Sequence, residues 1–249
     1  MIEPVALLKD LVRINTTNPP GEEEKLLLYL ERILQEHRIP YVYQKSAKGR
    51  GNLLAWQLAD QAEEAPLILM SHTDVVAAQA SQWKFPPFEA QEVDGYIYGR
   101  GTVDTKQLTA MELTAFLALK EKEIPLKRDV YFLATSDEES GSAYGLQWFL
   151  DHEITVGETT KTGRELFRGS AVISEGGGFP VVGGKREFYL CESGQKSCGT
   201  VEFTVKAKSA KGAFFTSGDG MERAMGLAED IGKQKLDGRV LDTVKQFEQ

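Results

Sequence analysis

The residues in this chain best suited to chemistry are one histidine and several carboxylates, all but one of them placed just after a short apolar run. Ser71-His72-Thr73-Asp74 follows Leu67-Ile68-Leu69-Met70, a run bounded by Pro66 as a buried strand would be. In extended backbone, side chains two residues apart point the same way, so the Asp74 carboxylate can reach the His72 ring. A carboxylate on one imidazole nitrogen fixes the tautomer and leaves the other nitrogen free for a metal. Asp104 lies in the glycine-rich segment Gly99-Arg100-Gly101-Thr102-Val103-Asp104-Thr105-Lys106, ahead of an expected helix. The run 129–135 ends in Ser136-Asp137-Glu138-Glu139-Ser140-Gly141-Ser142, and three adjacent acids after an apolar strand are electrostatically costly without nearby cations. A further short run, 171–174, ends in Glu175-Gly176-Gly177-Gly178.

Each feature alone has an ordinary reading. A histidine after a strand is more often a satisfied polar residue than a ligand, and an acidic trio opening a helix suits the helix dipole. Three strand ends that each present nitrogen or oxygen donors are more specific than any one of them. Two divalent ions sharing a carboxylate can activate water and polarise a carbonyl. Such a centre needs histidine and carboxylate ligands, plus a carboxylate left free to take a proton from water. His72, Asp104, Glu138, Glu139 and Glu175 supply that set, with Glu138 and Glu139 reaching one site only if they stand on a strand-to-helix turn. No GxSxG elbow is present, which argues against a serine hydrolase.

The elements that must position these residues follow from periodicity. Apolar residues at Val5, Leu7, Leu8, Leu11, Val12 and Ile14 predict a helix over 3–14, and Leu26, Leu27, Leu30, Ile33 and Leu34 predict another over 22–36 with acids in its first turn. Strands are predicted over 40–44, 52–58, 66–70, 129–135 and 171–174, with helices over 106–121 and 143–152. The segment 77–93, with Trp83, Phe85, Pro86, Pro87 and Phe88, reads as an apolar loop walling a site, and 153–168 as polar loop. The stretches 181–190 and 199–208 alternate like the two arms of one antiparallel hairpin. A turn-rich link over 212–220 and helices over 221–232 and 240–247 complete the chain, as the start of a second module. No internal repeat or low-complexity segment is present.

Composition sets the outer bounds. The chain has 249 residues, 41% hydrophobic and 27% charged, as a soluble globular protein of one domain or slightly more would have. A net charge of -8 argues against nucleic acid as a partner. No apolar run approaches the ~20 residues that cross a bilayer, which argues against a membrane. The N-terminus lacks a basic region followed by an apolar block, so a cytoplasmic address is expected. Cys191 and Cys198 lack the CxxC spacing of zinc or redox sites and read as structural.

The chain resembles the di-zinc peptidase and deacylase superfamily that includes aminoacylase, carboxypeptidase G, acetylornithine deacetylase and succinyl-diaminopimelate desuccinylase. The matching pieces are Thr17-Asn18-Pro19-Pro20-Gly21, Ser71-His72-Thr73-Asp74-Val75-Val76, Trp83 with Pro87-Phe88, Asp94-Gly95, and Tyr98-Gly99-Arg100-Gly101. They continue with Asp104 and Lys106, Asp137-Glu138-Glu139 with Gly141, and Glu175-Gly176-Gly177. The resemblance implies an α/β fold: a three-layer α/β/α catalytic domain over 1–198 with a mixed, mostly parallel sheet, then the start of an α+β lid over 199–249. It implies that His72 and Glu175 bind one metal, Asp74 orients His72, Asp104 bridges both metals, Glu139 binds the second, and Glu138 is the general base. The ions implied are two divalent metals, zinc first, with cobalt or manganese as substitutes. The substrate implied is a peptide or N-acyl amino acid cleaved at an amide next to a free carboxylate. A non-proline cis bond is implied at Asp104–Thr105, and full-length relatives pair as homodimers through the lid.

Two departures from the family pattern shape the expectations. The lid histidine has no counterpart in Lys211-Gly212-Ala213-Phe214-Phe215-Thr216, and the family's last metal ligand, a histidine after the lid, has no counterpart before Gln249. His37 and His152 match neither position. The expectation is a truncated chain, catalytically poor and prone to associate. One ion would be held through His72, Asp104 and Glu175, with the Glu139 position weak or empty. The alternative to an active hydrolase is therefore an impaired fragment that retains partial metal binding.

Overall fold

The computed structural model describes residues 2–178, 180–183, 186–189, 192, 202–206 and 220–234. The chain divides into a unit Met1–Glu192 and a unit Ser193–Gln249. In order, the first unit contains α1 (Pro4–Arg13), α2 (Glu24–Glu36), β1 (Tyr41–Ala47), β2 (Arg50–Gln57), β3 (Leu67–His72), β4 (Gln91–Val93), β5 (Tyr96–Tyr98) and α3 (Lys106–Glu121). It continues with β6 (Val130–Thr135), α4 (Leu146–Asp151), β7 (Glu153–Val156), β8 (Thr159–Thr162), α5 (Gly163–Leu166), β9 (Ala171–Ile173), β10 (Pro180–Gly183) and β11 (Arg186–Tyr189). The second unit contributes α6 (Gly220–Lys233).

The central sheet has the order β1-β2-β6-β3-β9. β1 with β2 and β2 with β6 are antiparallel, while β3 with β6 and β3 with β9 are parallel. The expected mixed sheet is present, but it is less parallel than expected: two of its four pairings among the described strands are parallel and two antiparallel. Alternation along each strand sorts the core into two faces. Leu53, Ala55, Leu69, Val130, Phe132 and Ala134 face α1, α2 and α3, whereas Leu54, Ile68, Tyr131 and Leu133 pack with Phe149, Ile154 and Val156. The three layers are thus helices, sheet, and a thinner cover made by α4 and the β7–β8 hairpin.

Several local expectations change. The segment 153–168 is a hairpin followed by a short helix rather than loop. Ile154 and Val156 alternate inward, Gly157 turns the chain at φ +59°, and Thr162 with Glu165 forms a capping box. The predicted helix over 143–152 is shortened to α4. The antiparallel hairpin closes within the first alternating run, as Val181↔Phe188 and Val182↔Glu187. Asp94-Gly95 turns β4 into β5, giving strand structure to the end of the predicted loop. Elsewhere in that loop, Phe85 packs on Tyr98 at 4.7 Å and the Arg100 guanidinium lies 5.2 Å from the Trp83 ring. Cys191, Cys198, the 211–216 stretch and the expected helix over 240–247 lie outside the described residues. Among the described residues no helix is long and apolar enough to cross a membrane.

Gly145 holds the loop after β6 in place. A Cβ there would stand 1.7 Å from the carbonyl oxygen of Ser136. Gly145→Ala must therefore push away the backbone that leads into Asp137, Glu138 and Glu139. A loss of about 1–3 kcal/mol is expected from such overpacking, measured by urea denaturation against the unmodified chain.

Candidate metal centre

Three parallel strands bring their carboxyl ends to one edge of the sheet. β3 and β6 are in register with His72 opposite Thr135, so the segments 73–75 and 136–139 leave the sheet side by side. Thr73 ties them, donating through both its backbone N–H (2.9 Å) and its hydroxyl (2.8 Å) to the Thr135 carbonyl. β9 runs parallel to β3 and delivers Glu175 at the same edge. This is the crevice where open α/β sheets place their ligands.

His72 is the pivot. Its Nδ1 lies 3.0 Å from the Asp74 carbonyl oxygen and 3.4 Å from Asp74 Oδ1. That leaves Nε2 facing Asp104 Oδ1 at 3.0 Å, Glu175 Oε2 at 3.3 Å and Glu138 Oε2 at 4.0 Å. The reach from Asp74 to the ring is as the two-residue spacing implies, with the backbone carbonyl closer than the carboxylate. His72, Asp104 and Glu175 offer donor atoms that all lie within 4.8 Å of one another. One imidazole nitrogen and two carboxylates suit zinc or a similar divalent ion. The Asp104–Thr105 peptide is cis, as are Asn18–Pro19 and Pro19–Pro20.

Asp74 is fully buried and holds the two halves of the site together. Its carboxylate accepts from Asn18 Nδ2 at 2.8 Å, from the Glu138 N–H at 3.0 Å and from the Glu139 N–H at 3.1 Å. Burial alone would raise its pKa. The His72 ring, Asn18 and the Glu138 N–H outweigh that and hold it below the usual carboxylate value. Glu138 and Glu139 stand on a 3₁₀ turn, Glu138–Ser140, launched by Asp137 in the left-handed region at φ +66°. Desolvation and the neighbouring carboxylates raise both pKa values; for Glu139 the largest charge contribution comes from Asp104. Glu139 thus lies within electrostatic reach of Asp104, outside the tight His72–Asp104–Glu175 group.

Neither remaining histidine joins the site. His37 Nδ1 pairs with Glu121 Oε1 at 3.1 Å, at the end of α3 remote from Lys106. The ring of His152 stacks on Trp148 at 3.8 Å, and its Nδ1 meets the Trp148 carbonyl at 2.6 Å.

Sequence reasoning missed the buried support behind Asp74. Asn18 entered only within a matching motif, Glu23 only as a dipole-facing acid, and Arg50 not at all. Glu23 and Asn18 are buried, and Arg50 nearly so. Lys106 is also fully buried, donating to the carbonyls of Leu11 (3.0 Å) and Ile14 (2.7 Å), which fastens the end of α1 to the start of α3 beside Asp104. Desolvation lowers its pKa to about 7.

The charge balance carries a prediction. Desolvation pulls the His72 pKa down, but Asp74 and Glu175 more than reverse it, to about 11 in the metal-free chain. The ring is then protonated at neutral pH, whereas a metal needs it neutral. Metal uptake at pH 7 is expected to release about one proton from His72. Affinity should therefore rise with pH. Calorimetric titration in two buffers of different ionisation enthalpy measures the proton count, and a count near zero would contradict this assignment.

Comparison with known proteins places the chain in a family. Residues 68–239 match the family described as Peptidase family M20/M25/M40. A probable succinyl-diaminopimelate desuccinylase of Staphylococcus epidermidis is 34% identical over 149 residues, which cover 59% of this chain and 35% of that protein. The N-fatty-acyl-amino acid synthase/hydrolase of Xenopus tropicalis is 31% identical over 208 residues, covering 81% of this chain and 39% of that protein. An M20 family metallo-carboxypeptidase of Sulfolobus solfataricus superposes with a TM-score of 0.51 at 28% identity, over 57% of this chain and 32% of its own. The chain thus spans 35% and 39% of the lengths of these two curated relatives. Because the match covers more than half of the sequence and includes His72, Asp104, Glu138, Glu139 and Glu175, this chain belongs to peptidase family M20/M25/M40.

Proposed function

We propose that this protein is a metal-dependent hydrolase that cleaves an amide bond of a peptide or N-acyl amino acid with water activated at a two-metal centre. The observation that carries the proposal is His72 Nε2, turned by Asp74 toward Asp104 and Glu175 at 3.0 and 3.3 Å. His72, Asp104 and Glu175 would hold the first ion, and Asp104 with Glu139 the second. Zinc suits the donor set best, with cobalt or manganese able to replace it. When bound, the metals supply Lewis acidity toward the amide carbonyl and lower the pKa of water. Glu138 is the group that takes the proton from the attacking water and returns it to the leaving amine. Its side chain is half-exposed, and its raised pKa brings it nearer the range where proton transfer is efficient. Asp74 keeps the His72 tautomer and, through two backbone N–H groups, the position of Glu138 and Glu139.

The names of the relatives support the substrate class, since one is a desuccinylase of succinyl-diaminopimelate and the other a synthase/hydrolase of N-fatty-acyl amino acids. The test is metal content after purification, together with release of amino acid from N-succinyl and N-acyl amino acids. The expected result is hydrolysis that stops with chelator and returns with zinc or cobalt. Hydrolysis indifferent to chelator would overturn the reading.

A further inference from the structure

Arg50 opens β2, and because β2 runs antiparallel to β6 its first residue lies at the same sheet edge as the ends of β3 and β6. Both terminal nitrogens of its guanidinium are engaged. Nη2 donates to Asn18 Oδ1 at 2.6 Å and to the Pro20 carbonyl at 2.8 Å. Nη1 is bonded to Asp137 Oδ1 and lies 3.5 Å from Glu23 Oε1. The Tyr144 ring lies 5.4 Å from the guanidinium. Gly21 leaves room for it: a Cβ there would stand 2.4 Å from the guanidinium carbon.

Two of the fork's acceptors, Asn18 and Asp137, lead to different parts of the centre. Asn18, anchored through its Oδ1, uses its Nδ2 on both Asp74 Oδ2 (2.8 Å) and Asp137 Oδ1 (3.1 Å). Asp137 places its other oxygen on the Tyr144 N–H at 3.0 Å, and its own N–H meets Glu23 Oε1 at 3.3 Å. One branch therefore ends at the carboxylate behind His72, and the other at the turn that carries Glu138 and Glu139.

Resting on the metal-centre reading above, we infer that Arg50 is a positioning residue that sets both halves of the centre from one rigid fork, Asp74 through Asn18 and the Glu138–Glu139 turn through Asp137. Its bonds run to Asn18, Pro20 and Asp137 and to none of the proposed metal ligands. The geometry, more than the charge, is what the site uses. A lysine at 50 keeps a cation beside Asp137 and Glu23, but its compact ammonium cannot also span Asn18 and Pro20.

Arg50→Lys keeps the buried charge balance and is the informative variant, with Leu54→Ala, a core cavity on the same strand, as the control for lost stability. In the metal-free chain, amide hydrogen exchange at Glu138 and Glu139 is expected to speed up about tenfold or more in Arg50→Lys, while the amides of Val130–Thr135 stay within about threefold. Leu54→Ala should speed both groups alike. With cobalt(II) as probe, Arg50→Lys should bind about 10–100-fold more weakly than the unmodified chain, with an altered visible spectrum. Exchange at Glu138 and Glu139 that follows β6 in Arg50→Lys as it does in Leu54→Ala would overturn the inference. So would cobalt binding of unchanged affinity and spectrum. If the unmodified chain takes up no cobalt, the metal-centre reading fails, and the exchange comparison alone decides the role of Arg50.

Discussion

Glu138→Gln is expected to lower amide hydrolysis by about 10²–10⁴-fold while leaving metal uptake unchanged, the span that general acid–base catalysis commonly contributes. The two adjacent glutamates share a turn but not an environment. The Glu138 N–H is fixed on Asp74 Oδ1, so glutamine at 138 keeps the backbone and the side-chain shape and loses only the capacity to carry a proton. The group of His72, Asp104 and Glu175 does not include it, and its Oε2 stands off at 4.0 Å from His72 Nε2. Glu139 is coupled to Asp104 first among its charged neighbours. In a chain that carries both ions, Glu139→Gln is therefore expected to lose one metal equivalent, the ion that Asp104 and Glu139 would share. Metal analysis of both variants, beside release of amino acid from N-acyl substrates, separates the roles. Equal metal loss in the two would show that they are not divided between base and ligand.

What the sequence revealed and what it hid follow from the physics of each residue. The candidate ligands His72, Glu139 and Glu175 were legible because each lies just after a short apolar strand, and parallel strands ending together need no knowledge of the loops between them; Asp104 was legible from the glycine-rich turn ahead of α3. The bounds of α3 were legible from its long apolar face. The exclusion of His37 was legible too, because it falls between the end of α2 and the start of β1, on the face opposite the strand carboxyl ends. Arg50 and Glu23 were not legible. A charged residue at the start of a strand or helix normally faces solvent, and only the antiparallel direction of β2 turns Arg50 under the site. The β7–β8 hairpin escaped because its alternation lasts four residues per strand and its threonines suit loop as well as strand.

Glu112 provides the second large effect, on stability. It lies on α3 behind β3, buried, and neither carboxyl oxygen has a hydrogen-bond partner among the described residues. Ser71 and the backbone of Met70 lie close and lower its pKa, but desolvation dominates and raises it from 4.5 to about 8. The folded chain therefore keeps a proton that the unfolded chain gives up. Below about pH 4.5 the carboxyl is neutral in both states and costs nothing by titration. As pH rises toward 8, the unfolded state gains from ionising while the folded state does not, so stability falls across that window and then levels off. At about 1.4 kcal/mol per unit, the full difference is on the order of 5 kcal/mol. Glutamine at 112 cannot titrate, so Glu112→Gln is expected to gain stability relative to the unmodified chain between pH 5 and pH 9 by an amount of that order. Comparing the two pH values cancels the constant cost of burying an amide. The consequence reaches the site, because the same helix carries Thr109, whose hydroxyl lies 3.4 Å from the His72 carbonyl, and Lys106 beside Asp104. Urea denaturation of both proteins at the two pH values checks it, and a difference that does not change with pH would place the ionised carboxylate in the folded chain after all.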